Sequence, residues 1–229
     1  MAKKVLITGS GAAATRHAKL ASSIYPDAEI AVWRRSPSKA DDLDRFFKVY
    51  NQAQALDFGP DIAIVAAPAT FHLDQAKILV EKGVPVLIEK PLSVSSDGVV
   101  ELFDAALAAC VFVQVGYNLR FSEGLWQLKD LVDSEELGEL ERVEISVDQY
   151  LPDWRPGVDY KATASAQKSM GGGALLELSH EIDYAIRLFG SFSITHAALE
   201  KVSDLDIDVE DTVEVTGNLS GRYLSLIHI

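Results

Sequence analysis

The residue best suited to chemistry is Lys90, which lies between Glu89 and Pro91 directly after the apolar run 84–88. A continuous apolar run of this length is typical of a strand buried on both faces of a parallel sheet. Ligands of open α/β sheets bind just outside the carboxyl ends of such strands, where Lys90 falls. The ammonium group there could act as an acid or as an electrostatic anchor. The alternative is an ordinary surface lysine at the end of a strand.

A glycine-rich motif of the form G-x-G-x-x-A lies between a predicted strand, 4–8, and a predicted helix, 12–25. The first glycine permits a tight turn, and the second lets a pyrophosphate approach the backbone. The amino end of the helix adds free N–H groups and a positive dipole. This context favours dinucleotide binding over a structural turn. The residues predicted to bind are Gly9, Ser10, Gly11, Ala12 and Ala13.

Two arginines and a hydroxyl, Arg34-Arg35-Ser36, follow the second predicted strand, 29–33. An acidic residue at this place would accept hydrogen bonds from the ribose 2′-hydroxyl of NAD. Guanidinium groups instead pair with phosphate oxygens, which suits the 2′-phosphate of NADP. The sequence therefore favours NADP through Arg34, Arg35 and Ser36. NAD and a merely solvated basic turn are the alternatives.

Three glycines, 171–173, precede a predicted helix with polar residues at helical spacing. Residues three and four apart on a helix are neighbours, so these side chains should share one face: Glu177, His180, Glu181 and Tyr184. A glutamate and a histidine together could position a general base. The alternative is a solvated polar face. Asp183 and Arg187 have the spacing of an ordinary i,i+4 ion pair.

The first half of the chain alternates strand and helix signals. The predicted strands are 4–8, 29–33, 62–67, 84–88 and 111–116, and the predicted helices are 12–25, 38–47, 72–82 and 96–109. Such a series predicts a doubly wound parallel sheet with right-handed crossovers, in an α/β domain over 1–120.

The pattern changes beyond residue 120. After a predicted helix at 125–132, the strand-like segments 142–150 and 209–219 have one strong helix between them. This predicts a C-terminal α+β domain over 121–229, built on a mostly antiparallel open sheet. The apolar end, 223–229, predicts that this second domain is incomplete. Its last six residues also resemble the translation of a common sequencing-adapter end, so we infer no function from them.

Composition and charge exclude several classes of function. The net charge of −13 opposes nucleic-acid binding, because phosphates would be repelled from most of the surface. Cys110 is the single cysteine, which excludes an internal disulfide and indicates a reducing compartment. The five histidines are dispersed, so no metal site is predicted. We expect no signal peptide, no membrane span and a cytoplasmic location.

Together these pieces resemble the Gfo/Idh/MocA family of NAD(P)-dependent oxidoreductases. The segments that carry the resemblance are Gly9-Ser10-Gly11 with His17, residues 67–72, Glu89-Lys90-Pro91, residues 116–121, and the triple glycine before Glu177 and His180. The resemblance implies a Rossmann domain followed by a domain whose sheet mediates homo-oligomers. It also implies hydride transfer between a nicotinamide and a carbinol carbon of a sugar, amino sugar or cyclitol.

The resemblance also assigns roles to single residues. Lys90 would hydrogen-bond the reacting hydroxyl, and His180 would be the general base with Glu177 in place of the family's aspartate. The family's histidine stands four residues after that aspartate, where this chain has Glu181, so His180 and Glu181 compete. The residues implied at the cofactor are Ala67, Pro68, His72, Glu89, Lys90, Asn118, Trp154 and Arg155. Tyr150, Lys161 and Lys168 would bind a hydroxylated or acidic substrate, or be solvated surface.

Two other functions fit the same motifs. One is a glycosidase that retains its nicotinamide and oxidises the sugar transiently, against which the two arginines count. The other is a non-catalytic regulator that senses the cofactor, against which the presence of both Lys90 and His180 counts.

Overall fold

The computed structural model describes residues 2–34, 47–134, 136, 138–219 and 222–228, with the backbone alone at 219 and 222–228. The chain forms two compact units, Met1–Gly116 and Tyr117–Ile229. Each unit is built on a sheet of its own. The sequence pattern predicts the boundary between them after residue 120, four residues beyond Gly116.

The first unit is a six-stranded parallel sheet in the order β3-β2-β1-β4-β5-β6. Its strands are β1 Lys4–Thr8, β2 Glu29–Trp33, β3 Lys48–Tyr50, β4 Ile62–Val65, β5 Val86–Ile88 and β6 Val113–Val115. The strand order reverses between β1 and β4, and ligands of doubly wound sheets bind at such a switch point. The predicted doubly wound parallel sheet is confirmed.

Helices cover both faces of this sheet: α1 Ala12–Ile24, α2 Gln52–Asp57, α3 His72–Val80 and α4 Val99–Ala109. Side chains of a strand alternate between faces, so Val5 and Ile7 pack in one core cluster with Ala14 and Ala18 of α1. Leu6, on the opposite face, belongs to a cluster that includes residues of α3 and α4. Burial on both faces explains why the strands read as continuous apolar runs.

Two elements of the first unit were not predicted. β3 has only three residues and none of them is buried, so it leaves no hydrophobic pattern. α2 begins with a capping box: the Gln54 backbone N–H donates to the Asn51 side chain, and the Asn51 backbone N–H donates to the Gln54 side chain. The predicted helix 38–47 lies almost wholly outside the described residues.

The second unit has a four-stranded sheet in the order β7-β10-β9-β8. The strands are β7 Arg142–Val147, β8 Ser193–Glu200, β9 Thr212–Leu219 and β10 Arg222–His228, and the helices are α5 Glu123–Asp133, α6 Ala174–Glu177 and α7 His180–Phe189. β10 is parallel to β7, whereas the other two pairs are antiparallel. The predicted mostly antiparallel sheet is confirmed, but β8 was not predicted.

The helix predicted after the triple glycine is two helices. α6 ends at Glu177, and α7 begins at His180. The Ser179 hydroxyl donates to the Leu176 carbonyl at 3.0 Å, a local bond that competes with helix continuation. The prediction that Glu177 shares one helix face with His180 was therefore wrong.

Among the residues that the structure describes, none of the helices combines the length and the apolar character that crossing a bilayer requires.

Candidate active site

The glycine motif forms the turn between β1 and α1. Gly9 has a φ of +96°, and a Cβ there would lie 2.5 Å from the Ala66 carbonyl oxygen. Gly11 has a φ of −80°, and its Cβ position has no neighbouring atom within 4 Å. Ser10 and Ala12 are exposed, and no described side chain caps the amino end of α1. An open helix terminus with no side chain in the way suits a pyrophosphate.

Lys90 lies two residues beyond the carboxyl end of β5 and is half-buried. β5 is separated from β1 by β4 alone. Because neighbouring strands lie about 4.8 Å apart, β1 and β5 are roughly 10 Å apart. Both the glycine turn and Lys90 follow the carboxyl ends of parallel strands, so they lie at the same edge of one sheet. Ala67 and Pro68, which follow β4, lie at that edge between them.

The carboxylate of Glu89 is bound to α1. His17 Nε2 donates to Glu89 Oε1 at 2.7 Å, and an Arg16 guanidinium nitrogen donates to the same oxygen at 2.8 Å. Burial raises the pKa of Glu89, but the His17 hydrogen bond and the charges of His17 and Arg16 outweigh it and lower that pKa to about 2. Glu89 was implied as a cofactor residue, yet in this structure its carboxylate faces protein partners.

His72, at the start of α3, is buried, with 1% of its surface exposed. Its Nδ1 lies 2.8 Å from the Pro91 carbonyl oxygen and its Nε2 lies 2.8 Å from the Ala67 carbonyl oxygen. Both ring nitrogens therefore contact backbone, and His72 has none left for a polar contact to the cofactor that the resemblance implied.

The basic segment after β2 is described only in part. Arg34 is buried, with 6% of its surface exposed, and its backbone N–H donates to the Tyr50 carbonyl. Arg35 and Ser36 lie outside the described residues.

In the second unit, Glu177 and His180 have separate surroundings. The Ser165 hydroxyl donates to the Glu177 carboxylate at 2.6 Å. The half-buried His180 ring packs edge-on against Tyr117, with centroids 5.6 Å apart and planes at 81°. Its competitor, Glu181, is buried, with 7% exposure. Burial, together with the Glu181 charge, raises the pKa of Tyr184 to about 12.

A cavity of about 420 Å³ lies within the second unit beside Glu177. Other residues that line it include Tyr150, Trp154, Ser165 and Glu210. The indole Nε1 of Trp154 is buried and has no hydrogen-bond partner among the described residues. An indole N–H without a partner can donate to a ligand that carries hydroxyl groups. Trp154, one of the residues implied at the cofactor, thus lines this cavity together with Glu177.

Four other residues implied at the cofactor or substrate are exposed or contact other protein groups. Asn118 and Arg155 are exposed, and an Arg155 guanidinium nitrogen lies 3.4 Å from Ser165 Oγ. Lys161 pairs with Asp206 at 2.8 Å. The backbone N–H of Lys168 donates to Asp208.

Asp183 has an ion-pair partner that the local sequence spacing does not indicate. Arg120 binds the buried Asp183 carboxylate with two nitrogens, and Nε lies 2.8 Å from Oδ2. The predicted pairing of Asp183 with Arg187 was wrong, since the ion pair that the Asp183 carboxylate forms is with Arg120. Arg120 lies in residues 116–121, one of the segments that carry the family resemblance. That resemblance was the signal in the sequence that could have pointed to Arg120.

Comparison with known proteins gives distant but extensive matches. The chain is 26% identical over 229 residues to glucose-6-phosphate 3-dehydrogenase of Bacillus subtilis, which covers 96% of this chain and 65% of that protein. It is 28% identical over 147 residues to inositol 2-dehydrogenase of Pseudomonas syringae, covering 61% of this chain and 44% of that protein. The chain thus spans 65% of the length of the first of these relatives.

The fold also matches solved structures. The WlbA dehydrogenase of Bordetella pertussis, in complex with NADH and UDP-GlcNAcA, superposes with a TM-score of 0.86 at 19% identity, covering 99% of this chain and 66% of that one. At this identity the likeness shows a shared fold.

Two family models match consecutive parts of the chain. Residues 3–117 match the NAD-binding Rossmann fold of the oxidoreductase family, and residues 125–229 match the C-terminal domain of the same family. Since the first match alone covers half of the chain, and agrees with the doubly wound sheet, the chain belongs to the GFO/IDH/MocA oxidoreductase family.

Proposed function

We propose that this protein transfers a hydride between NADP(H) and a carbinol carbon of a sugar, amino sugar or cyclitol. The observation that carries the proposal is the common sheet edge of the open glycine turn and Lys90. Gly11 would hold the pyrophosphate of a dinucleotide that binds at this edge, and Lys90 is the cationic side chain that follows β5. The named activities of the relatives, on glucose 6-phosphate and on inositol, support the substrate class.

The cofactor supplies the hydride acceptor or donor, and the protein's residues handle the proton. Lys90 donates a hydrogen bond to the reacting hydroxyl, which stabilises the oxygen as it loses its proton. His180 accepts that proton, because an imidazole exchanges protons near neutral pH. The buried position of Glu181 supports His180 as the base.

The choice of NADP rests on the residues that follow β2. Arg35 and Ser36 stand where an NAD enzyme would carry a carboxylate, and a guanidinium group pairs with a 2′-phosphate. Removing Arg35 should therefore weaken NADPH binding and leave NADH binding nearly unchanged.

Fluorescence titration with NADPH and NADH tests the cofactor assignment. Wild-type protein should bind NADPH at least tenfold more tightly than NADH, and Arg35→Ala should remove most of that difference. A screen of sugars, sugar acids and cyclitols at the nicotinamide absorbance band then tests the chemistry. Binding of neither cofactor, or cofactor binding without turnover of any polyol, would count against the proposal.

We also propose that the protein forms homo-oligomers through the sheet of the second unit. Nearly all side chains of β8 are exposed, including the apolar Ile194 at 62% and Leu199 at 48%. Light scattering should give a mass of at least two chains, and Ile194→Asp with Leu199→Asp should lower it. A monomeric wild-type protein would contradict this.

A further inference from the structure

His72 joins the ends of two neighbouring strands. Ala67 follows β4 and Pro91 follows β5, and these strands are hydrogen-bonded neighbours. The His72 ring lies between the two segments, 2.8 Å from a carbonyl oxygen of each. Since the residue is buried, this bridge is shielded from water.

The two partners of the ring are both acceptors. A carbonyl oxygen can only accept a hydrogen bond, and a neutral imidazole has a single N–H to donate. The neutral ring can therefore bond one of the two carbonyls, and only the imidazolium can bond both. Burial lowers the pKa of His72, whereas the bonds to Pro91 and Ala67 oppose that change. The charges of Glu89 and Lys90 also act on the ring, in opposite directions.

The residues on both sides of Lys90 are held in place. Before it, the Glu89 N–H donates to the Val65 carbonyl at 2.8 Å, and the Glu89 side chain is bound to α1. After it, the Pro91 carbonyl contacts His72. The His72 ring thus lies within hydrogen-bond distance of Pro91, and it restrains the segment from which the Lys90 side chain projects.

We propose that His72 is a positioning residue for Lys90, acting through an Nδ1–H hydrogen bond to the Pro91 carbonyl. This inference rests on the proposed function for the importance of Lys90, but the restraint itself exists without cofactor or substrate. A purely structural histidine would serve equally well with its proton on Nε2, bonded to Ala67.

Nitrogen NMR of the histidine rings in the wild-type protein tests the proton's position directly. The proposal requires His72 to carry a proton on Nδ1, either as the Nδ1–H tautomer or as the imidazolium. A neutral ring protonated on Nε2 alone would overturn it, whatever the variants show.

Two variants of His72 test its contacts to Pro91 and to Ala67 one at a time. In His72→Asn the amide nitrogen takes the place of Nδ1, and in His72→Gln the amide nitrogen takes the place of Nε2. Both remove the ring and should lower the melting temperature to a similar extent. The proposal expects only His72→Asn to preserve the environment of Lys90.

The rate at which acetic anhydride acylates Lys90, followed by mass spectrometry, reports that environment without any substrate. We expect the rate in His72→Asn to lie within twofold of wild type, and the rate in His72→Gln to differ by at least fivefold. The exposed Lys82 serves as the internal control and should react equally in all three proteins. Equal Lys90 rates in the two variants would overturn the proposal.

Failure of this inference is distinguishable from failure of the proposed function. Loss of turnover in Lys90→Ala with unchanged labelling in both His72 variants would leave the function standing and remove His72 from it. Wild-type turnover in Lys90→Ala would remove the proposed function, whereas the NMR and labelling results would still decide whether His72 positions Lys90.

Discussion

His17 Nε2 lies 2.7 Å from Glu89 Oε1, which joins the helix that begins at the glycine turn to the residue immediately before Lys90. The two side chains are only 16% and 12% exposed. This contact connects the two parts of the first unit to which we assign cofactor binding and proton chemistry.

The Glu89 carboxylate should make the free energy of unfolding depend on pH in the acidic range. Its pKa is lowered from 4.5 to about 2 in the folded protein, so the folded state holds the proton less readily than the unfolded chain. The contribution is present above pH 4.5 and is lost as pH falls toward 2. A shift of this size corresponds to about 3 kcal/mol.

Urea unfolding of wild type and Glu89→Gln at a series of pH values measures the contribution of the Glu89 carboxylate to the free energy of unfolding. The variant should be less stable by about 3 kcal/mol at pH 7, and the gap should narrow as the pH falls toward 3. Glu81→Gln, at an exposed carboxylate, is the control and should stay close to wild type. A gap that does not change with pH would contradict the prediction.

Replacing Lys90 should separate catalysis from cofactor binding. In Lys90→Ala we expect kcat to fall by about 10²-fold or more, since a positioned acid or hydrogen-bond donor contributes roughly 10²–10⁴ in rate. The affinity for NADPH should stay within about threefold of wild type, because the glycine turn is untouched. Lys82→Ala is the matched control. Wild-type turnover in Lys90→Ala would end the assignment.

The two glycines of the turn should respond differently to the same substitution. In Gly9→Ala the new methyl group meets the Ala66 carbonyl and φ is unfavourable, so stability should fall by about 2 kcal/mol or more. In Gly11→Ala the position is open and φ is ordinary, so the fold should be kept.

In Gly11→Ala the new methyl group should instead obstruct the pyrophosphate of the cofactor. We expect the affinity of Gly11→Ala for NADPH to drop at least tenfold while its melting temperature stays near wild type. Calorimetric titration beside thermal melts measures both quantities. Unchanged affinity in a folded Gly11→Ala protein would argue against a nucleotide at this turn.

The Arg120–Asp183 pair should stabilise the second unit. Asp183 is buried, so Arg120→Ala leaves its carboxylate without its cation, which we expect to cost about 2 kcal/mol. Arg187→Ala, which removes the neighbour at i,i+4, should cost less than about 0.5 kcal/mol. Chemical denaturation of both variants provides the test, and equal losses would contradict the observed pairing.

The sequence predicted those elements whose residues carry a burial pattern. β1, β2 and β5 read as apolar runs because both faces of the sheet are covered. β8 gave no signal, since its side chains are nearly all exposed and show no alternation. The turn at Gly9 and the position of Lys90 were predictable because both depend on what directly follows a strand.

The contacts that the sequence did not reveal join residues far apart in the chain. His17 and Glu89 are 72 residues apart, and Arg120 and Asp183 are 63 apart. Local spacing favoured Asp183 with Arg187, but the fold brings a bidentate partner from another helical turn. The break at Ser179 was likewise invisible, because the apolar spacing of the segment continues through it.

The break between α6 and α7 places Glu177 and His180 on separate helices of the second unit. Glu177 belongs to the cavity wall with Ser165, while His180 packs on Tyr117 from the first turn of the next helix. Substitutions in the cavity wall can therefore change the shape of the cavity without moving the helix that carries His180. Under the proposed function, the residues that select a substrate and the residue that takes up the proton would lie on different helices.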